Sequence, residues 1–441
     1  MAIDMLDVAR AATAMARRAG AQDAAAVSGR TRGVSVEWRD GKVEKVSEAT
    51  TRGLSLELYV DGRYAVVSTS DLRAEALERF VGDAVALTRK LAPDPFRALP
   101  ERALYEGQAR VDLQLEDPAL AAVTATRRRQ AAQAAEEAAR AVKGAGAIVS
   151  VSTGTGDTLS ESWRVHTNGF EGTRRATDFW ISAQVSVKDA DGRRPEEWDA
   201  ATGRHLAMNP QPEEVGWRAA TRALSRLGAR KGASAAMTLV VDARVAGRLF
   251  GRLLDPLSGA ALQQKRSCLE GKAGLALGSP LLDVADDPLV PRGLGSRLFD
   301  GEGLAARRFP VLEKGVLRNY YVDTYYGRKL KAAPTTRGPS NLAWGPGAKG
   351  QDQLVREAGE GLLVTGFLGG NSNGTTGDFS LGLQGFRIHG GERAEPVAEM
   401  NLSGNHLEFW KRLVAVGDDP YPFSSMRTPT LVFEGAQVAG T

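Results

Sequence analysis

Cysteine is almost absent from this chain of 441 residues, where Cys268 is the single thiol. One thiol cannot form a disulfide within the chain, so we expect a protein of a reducing compartment, the cytoplasm. Long apolar runs are absent as well, and none approaches the roughly 20 residues that a membrane-spanning helix needs. Near the N-terminus, Asp4, Asp7 and Arg10 interrupt the apolar stretch that a signal peptide requires, which predicts a retained helix.

Histidine is scarce, and its spacing argues against a metal site. The four histidines are His166, His205, His389 and His406, and no two lie within one helical turn. A zinc helix of the common type needs two histidines on one face, so each is expected to be an ordinary surface or strand residue. Cys268 has cationic neighbours in QQKRSCLEGK that favour a lowered pKa, but no histidine is near in sequence. A half-buried thiol is therefore favoured over a nucleophile.

Charge is nearly balanced, with 57 Lys and Arg against 53 Asp and Glu. No cluster of basic and aromatic residues accompanies this small excess, so nucleic-acid binding has little support. Glycine, by contrast, is abundant at 50 positions, which predicts many turns and close backbone contacts. The length is sufficient for two domains. The aperiodic, small-residue segment ARKGASAA (229–236) predicts a boundary between an N-terminal domain, residues 1–230, and a C-terminal domain, residues 231–441.

The first half combines helices with antiparallel meanders. One helix is expected to start at a cap on Asp71 and to end before Pro93, and another to run from the cap Asp117 to Lys143. Asp-Gly dipeptides at 40–41 and 61–62 predict hairpins. The stretch SVEWR (35–39) is echoed by SESWR (160–164), and each precedes a turn, a longer alternating stretch and a DGR turn. This echo suggests an internal duplication, closed by a helix from about 213 to 227.

The second half opens with the strand MTLVV and a helix capped by Asp242. Apolar residues recur on this helix at i+4, which predicts a buried face, and Pro256 ends it. The row Arg244, Arg248 and Arg252 is expected to form a solvated or ion-paired face, although it could also grip carboxylates or phosphates. Strands and turns dominate from residue 305, including a hairpin at 313–315. We therefore predict an α+β chain whose second half is a strand-rich antiparallel sheet or barrel with one buried helix.

A loop in the second half, GGNSNGTTGDFS (369–380), is the strongest candidate for a binding site. It lacks the GK[ST] ending of a phosphate-binding loop. Its nearly neutral, amide-rich surface suits an extended peptide held through its main chain, and a tight multi-turn connection between strands is the alternative. The candidate substrate-binding residues are Asn371, Ser372, Asn373, Thr375, Thr376, Gly377, Asp378, Phe379 and Ser380. Asp300 and Glu302 have a spacing seen in acid–base pairs, but a turn is favoured.

Several stretches of the second half resemble the PmbA/TldD family, and specifically its PmbA branch, also called TldE. The longest is GFLGGNSNGTTGDFSLGLQGFRIHGGERAEPVAEMNLSGNHLEFWKRLVAVGDD (366–419). Others are DPLVPRGLGSRLFDGEG (287–303), VLEKGVLRNYYVDTYYGRKL (311–330) and GPSNL (338–342). The resemblance is fainter in the first half. It implies a two-part metallopeptidase in which a TldD chain carries zinc on an HExxxH helix plus a downstream cysteine, and a TldE chain pairs with it.

The chain departs from the zinc-binding pattern at each functional position. With the shared glycine set at Gly251, the degenerate positions Gly247, Arg248 and Arg252 stand where a TldD chain has His, Glu and His. The stretch PYPFSSMRTPTL (420–431), where the cysteine ligand is expected, has none. Arginines repel a divalent cation. The resemblance thus implies a subunit without metal or catalytic residues, which helps a zinc-bearing TldD-like partner to bind unfolded or extended peptides.

Two further interpretations stay open. The chain could be a free-standing hydrolase of the same fold that uses Asp300, Glu302 and Asp378 as acid–base groups. It could also regulate DNA gyrase-type machinery, as an older name of the family suggests. When isolated, the chain could form a homodimer. The natural peptide cannot be identified from the sequence.

Overall fold

The N-terminal half of the computed structural model, which describes residues 4–440, is one antiparallel sheet with helices. Its first unit contains α1 (Met5–Arg18), β1 (Asp23–Arg39), β2 (Lys42–Val60), β3 (Arg63–Thr69) and α2 (Ala74–Thr88). Its second unit contains α3 (Ala125–Arg140), β4 (Ile148–His166), β5 (Glu171–Val187), β6 (Glu196–Gly203) and α4 (Pro212–Leu224). The strand order is β3-β2-β1-β4-β5-β6, and β1 pairs antiparallel with β4 at the centre. The element order is the same in both units, which agrees with the suggested duplication.

The helices of each unit pack against the sheet through small and aliphatic side chains. Leu54, Leu56 and Leu58 alternate along β2 and are buried beside α1 and α2, as the two-residue period of a strand requires. In the second unit α3 and α4 pack backbone to backbone. A Cβ at Gly216 would lie 1.8 Å from the carbonyl oxygen of Ala135, so only glycine permits this contact.

Two helix starts differ from the prediction. Asp117 caps only a short 3₁₀ turn, Pro118–Ala122, and α3 begins after Thr124, whose side chain accepts from the backbone N–H of Arg127. The second carboxylate oxygen of Asp117 accepts from the distant Leu206 N–H, so this side chain serves a tertiary contact. Asp71 does not cap α2 either, because it binds the N–H and guanidinium of Arg73 just before the helix. The predicted α1, α4 and Asp-Gly turns are confirmed.

The C-terminal half contains a small sheet and a closed barrel. The first part comprises β7 (Ala235–Val241), α5 (Ala243–Leu254), α6 (Gly259–Gln263), β8 (Val284–Asp286), β9 (Phe309–Glu313), β10 (Val316–Leu317), α7 (Thr324–Leu330) and β11 (Leu342–Trp344). The second part comprises α8 (Gln351–Ala358), β12 (Gly361–Ser372), β13 (Asp378–His389), β14 (Glu392–Asn405), α9 (His406–Phe409), β15 (Leu413–Val416) and β16 (Leu431–Ala439).

Strands of this half form the orders β10-β9-β8-β11 and β14-β13-β12-β7-β16-β15. Because β14 also pairs with β16, five strands of the larger sheet close into a barrel. Pairing is antiparallel except between β12 and β7. The α+β fold, the barrel and the hairpin at Lys314-Gly315 are therefore confirmed. The segment 229–236 joins α4 to β7, and the division into domains 1–230 and 231–441 stays a prediction.

The helix α5 belongs to the core of the C-terminal half, as predicted. Asp242 caps it by accepting from the N–H of Arg244 at 2.8 Å. Leu249, Phe250 and Leu253 are at most 1% exposed and pack among barrel side chains. The opposite face of α5 runs beside β12 and positions the candidate site. Within residues 4–440, no helix is long and apolar enough to cross a membrane.

Candidate functional site

An open cavity of about 710 Å³ lies between the end of α5 and the β12–β13 hairpin. The connection from α5 to α6 forms one wall, and the glycine-rich loop forms the other. Seven of the nine candidate residues line the cavity, namely Asn371, Ser372, Asn373, Thr375, Asp378, Phe379 and Ser380. Thr376 and Gly377 lie in the same loop but are not part of the lining. The sequence-based candidates are thus brought together around one space.

The tip of the loop is held by its own side chains. Asn373 Oδ1 accepts from the N–H groups of Thr375 at 2.9 Å and Thr376 at 3.4 Å. The carboxylate of Asp378 accepts from Thr376 Oγ1 at 2.7 Å and from Asn405 Nδ2 at 2.8 Å. These two hydrogen bonds lower the pKa of Asp378 below its ordinary value. The tight-turn interpretation therefore holds for residues 373–378, and Asp378 is poorly suited to proton transfer near neutral pH.

Glycines shape the stem of the hairpin. The pairing of β12 with β13 shifts register between Val364 and Gly366 and again between Leu368 and Asn371. Gly369 and Gly370, at the second shift, have φ angles of +64° and +99°. A Cβ at Gly370 would also lie 2.3 Å from the carbonyl oxygen of Ser380. Both the left-handed backbone and the close strand contact explain why glycine occupies this position.

Two arginines of the row on α5, Arg244 and Arg248, bind the open edge of β12. Beyond Val364 no described strand pairs with that edge. Instead, Arg244 donates to the carbonyl of Thr365 at 3.1 Å, and Arg248 donates to the carbonyl of Phe367 at 2.7 Å. Four helical residues rise by about 6 Å, close to the roughly 6.7 Å that separates alternate carbonyls of a strand. The i+4 spacing of arginines therefore matches the spacing of the carbonyls that they bind.

The expected ion pairs form at both ends of the arginine row, although the side chain of Arg244 is buried and that of Arg252 is partly exposed. The side chain of Arg244 is 5% exposed, lies 3.8 Å from Glu197 and stacks 5.3 Å from the Trp198 ring. Arg252 does form the expected ion pair, with Asp255 at 3.7 Å. The difference arises because β6 and β12 cover the first turn of α5 and leave its last turn exposed.

The degenerate positions do not fit a divalent cation. Gly247 offers no ligand atom, and the guanidinium of Arg248 is bound to a carbonyl oxygen. A Cβ at Gly247 would lie 3.2 Å from Thr428 Oγ1 and 3.4 Å from Met426 Sδ, so the segment expected to carry a cysteine packs against this helix turn. Thioether and hydroxyl groups beside guanidinium groups are a poor ligand set for zinc. Across residues 4–440, no group of three or more His, Cys, Asp or Glu side chains is arranged to hold a metal ion.

His406 is a site residue that the sequence interpretation missed. It is 2% exposed, not a surface residue, and it stacks on Phe379 at 4.6 Å. Its Nε2 lies 3.1 Å from Ser372 Oγ, and its Nδ1 accepts from Trp410 Nε1 at 3.2 Å. The i+4 spacing of His406 and Trp410 was a local signal for this contact.

The partners of His406 assign its tautomer. An indole N–H only donates, so Nδ1 carries no proton and Nε2–H donates to Ser372 Oγ. Burial, followed by the nearby Arg252, lowers the pKa of His406 to about 4, so the ring stays neutral at pH 7. This imidazole cannot accept the Ser372 proton in the observed arrangement. Ser372 instead keeps its own O–H free to donate at the cavity wall.

The other acidic candidates lie elsewhere. Asp300 accepts from the N–H groups of Glu302 at 2.8 Å and Leu304 at 3.0 Å, which confirms the turn interpretation. Glu302 accepts from Thr324, and burial raises its pKa to about 7. Asp300 lines a different cavity, of about 360 Å³, to which the loop 369–380 contributes nothing. The structure therefore does not bring Asp300 and Glu302 together with Asp378.

Cys268 and His166 are both held by hydrogen bonds in partly or fully buried positions. Cys268 is half-buried as expected, its N–H donates to the carbonyl of Gly374 at 2.7 Å, and burial raises the pKa of its thiol despite the cationic neighbours. His166, expected at the surface or on a strand, ends β4 but is buried, and its Nδ1 lies 3.0 Å from the hydroxyl of Tyr105. Burial lowers the pKa of His166 to about 3.

Three models of one family match the chain. They are the PmbA/TldA metallopeptidase domain 1 over residues 24–88, the central domain over residues 118–227 and the C-terminal domain over residues 234–440. The metalloprotease PmbA of Escherichia coli O157:H7 is 28% identical over 97% of this chain and 95% of its own length. A PmbA homologue of Haemophilus influenzae is also 28% identical, over 97% of this chain and 94% of its own.

Solved structures agree with this match. A Bacteroides thetaiotaomicron protein, described as a candidate modulator of DNA gyrase, has a TM-score of 0.95 and 36% identity, covering 99% of this chain and 98% of that chain. TldE from Thermococcus kodakarensis has a TM-score of 0.87 at 19% identity, covering 98% of this chain and 100% of that chain. At that identity the likeness to TldE shows the fold alone.

Proposed function

Because this chain belongs to the PmbA/TldD metallopeptidase family, we propose that it is the metal-free, TldE-type subunit of a two-part peptidase. In this assignment a TldD-like partner supplies the zinc and the catalytic residues, and this chain helps to bind extended peptide. The proposal places the complex in the cytoplasm, in keeping with the single cysteine.

The observation that carries the proposal is the hydrogen bond from Arg248 to the carbonyl of Phe367. Arg248 occupies the helix position at which the resemblance requires a catalytic glutamate. Its neighbours on that face are Gly247 and Arg252, and neither side chain is a zinc ligand. This part of the helix thus stabilises the edge of β12, and it offers no side chains that could bind a zinc ion for hydrolysis.

The cavity beside the β12–β13 hairpin supports a role in peptide binding. Its wall combines the amide of Asn371 and the donor hydroxyl of Ser372 with three charged side chains of mixed sign, Asp255, Arg266 and Asp378. Such a surface recognises the main chain of an extended peptide and is largely indifferent to its side chains. Since the cavity is open to one side, a partner subunit can complete it as a channel.

A reconstitution assay tests the assignment. An unstructured peptide is incubated with this chain, with a TldD-type chain, and with both, and the zinc content of each preparation is measured. We expect cleavage and stoichiometric zinc only where the TldD-type chain is present, and faster cleavage when both chains are present. The matched control is the TldD-type chain with its HExxxH glutamate replaced by glutamine, which should leave the mixture inactive.

Two results would contradict the assignment. One is zinc-dependent cleavage by this chain alone, which would indicate a complete site in this polypeptide. The other is a mixture that cleaves no faster than the TldD-type chain alone and shows no complex by size-exclusion chromatography.

A further inference from the structure

A second cavity, of about 560 Å³, lies between β5 and the loop that follows β8. Part of its lining is apolar, with Leu113, Leu115, Leu298 and Phe299. Four arginines also line it, namely Arg174, Arg175, Arg292 and Arg297. We call this space the arginine pocket. Its volume falls in the range of ordinary small-molecule sites.

The carboxylates near the arginine pocket neutralise only part of its positive charge. Glu116 is paired with Arg175 at 3.0 Å. Asp112 is exposed at the rim and accepts from the N–H of Gln114 at 2.8 Å. Arg292 donates to the side chain of Gln114 at 2.8 Å, a neutral partner. Among the described residues, Arg175 is therefore the one of these four arginines that forms an ion pair with a carboxylate, and it pairs with both Glu116 and Glu161.

Arg174 is the least satisfied of the four. It is half-buried, and within residues 4–440 its guanidinium has no hydrogen bond and no ion pair. Its pKa is lowered first by burial and then by two neighbouring cations, Arg204 and Arg297, and the nearby Asp178 only partly offsets this shift. A half-buried cation held beside like charges is destabilising unless an anion binds it.

The two neighbouring cations, Arg204 and Arg297, each have an unsatisfied hydrogen-bond donor. Arg204 is paired with Asp178 at 2.8 Å, and Arg297 donates to the carbonyl of Gly338 at 2.7 Å. In both residues the Nε–H is buried and lacks any hydrogen-bond partner among the described residues. Such unsatisfied donors are uncommon in folded proteins and are typical of places where a ligand or water binds.

We propose that the arginine pocket binds a small organic anion, with its carboxylate or phosphate on Arg174 and its apolar body against Leu298 and Phe299. A guanidinium presents parallel N–H donors that match either a carboxylate or a phosphate. This pairing fixes the orientation of the bound ligand in the pocket. The apolar walls select a ligand with a hydrocarbon part over a bare ion. This site is separate from the cavity beside the β12–β13 hairpin and does not depend on the peptidase assignment.

Isothermal titration calorimetry on the full chain tests the pocket with four probes. They are 3-phenylpropionate, its neutral amide, phenyl phosphate and inorganic phosphate. We expect the two organic anions to bind at least about tenfold more tightly than the amide, because only they engage the guanidinium. The ratio between 3-phenylpropionate and phenyl phosphate distinguishes a carboxylate site from a phosphate site. Inorganic phosphate should bind more weakly than phenyl phosphate.

Variants locate the binding. Arg174→Gln should weaken binding of the tighter organic anion at least about tenfold, and Arg174→Lys should recover only part of that loss, because it keeps the charge but not the paired N–H donors. Arg79→Gln, an exposed arginine on α2, is the matched control and should bind as wild type. Arg292→Gln, at the exposed rim, gives a second measurement of the pocket should Arg174→Gln fail to fold, and it should weaken binding to a smaller extent.

The proposal is overturned if no probe binds the wild-type chain saturably, or if the amide binds as tightly as the acids. It is also overturned if Arg174→Gln is folded by circular dichroism and binds like wild type. In each of these three cases the peptidase assignment is unaffected, because the two experiments measure different sites.

Discussion

The guanidinium of Arg248 and the carbonyl oxygen of Phe367, 2.7 Å apart, link the helix α5 to the open edge of β12. A barrel strand whose edge is not covered is prone to pair with other chains. Arg244 and Arg248 cover that edge with side-chain donors, so a feature that resembles a lost metal site is a structural part of the barrel. Peptide is therefore expected to bind further along the hairpin, at residues 371–380.

Arg248→Met should destabilise the chain by about 1 kcal/mol, because a charge-assisted hydrogen bond to a half-buried carbonyl is removed. Arg252→Met is the matched variant on the next turn, where a partly exposed ion pair is worth less. Urea denaturation of both variants measures the difference. Equal stabilities would show that the Phe367 contact contributes nothing.

Ser372→Ala should raise the KM of the reconstituted peptidase by about fivefold with little change in kcat, because one hydrogen bond to the bound main chain is lost. Ser70→Ala, at an exposed position remote in the sequence from the cavity, serves as control. Steady-state kinetics on an unstructured peptide provide both constants. If kcat falls to background while KM is unchanged, Ser372 takes part in the catalytic step, and its predicted role as a hydrogen-bond donor to the bound peptide is wrong.

The neutral His406 makes stability depend on pH. Its pKa is near 6.5 in the unfolded chain and about 4 in the folded one, so the unfolded chain takes up a proton first as pH falls. The contribution of the neutral His406 ring to the free energy of unfolding is fully present above pH 6.5 and is lost as the pH falls towards 4. His406→Gln should remove on the order of 2 kcal/mol from the difference in unfolding free energy between pH 7 and pH 5.

Urea denaturation at the two pH values measures this effect. His389→Gln, which removes an exposed imidazole that lies 2.7 Å from Glu360, is measured alongside as the comparison for loss of a surface histidine. A His406→Gln variant with the same pH dependence as wild type would show that the ring is not held neutral.

The ion pair between Arg128 and Asp157 is buried between α3 and β4, with the two side chains 7% and 3% exposed and 2.5 Å apart. Asp157→Asn leaves the guanidinium without a counter-charge and should destabilise the chain by about 3 kcal/mol. The double variant Arg128→Met, Asp157→Leu should recover most of that loss, since no buried charge remains. Thermal unfolding of the three proteins distinguishes these outcomes, and additive losses would contradict them.

The candidate site was partly accessible from the sequence. The loop 369–380 was recognised from its glycine and amide content, because close backbone contacts require glycine wherever they occur. The role of Arg248 could not be predicted from the sequence, since the spacing of arginines on a helix does not reveal which groups lie opposite them. Likewise the contact between Ser372 and His406 joins residues 34 positions apart, and only the closed barrel brings them together.

Local chemistry in the sequence determined the cap at Asp242, the Asp-Gly and Lys-Gly turns, the apolar face of α5 and the α+β class, because each depends on neighbours within one or two turns. The tertiary structure alone decided that Asp117 binds Leu206 instead of starting a long helix, that Arg244 is buried, and that Arg174 forms no hydrogen bond or ion pair through its guanidinium within residues 4–440. The reason is physical. Burial and charge pairing are properties of the space around a side chain, and distant segments create that space only after the chain has folded.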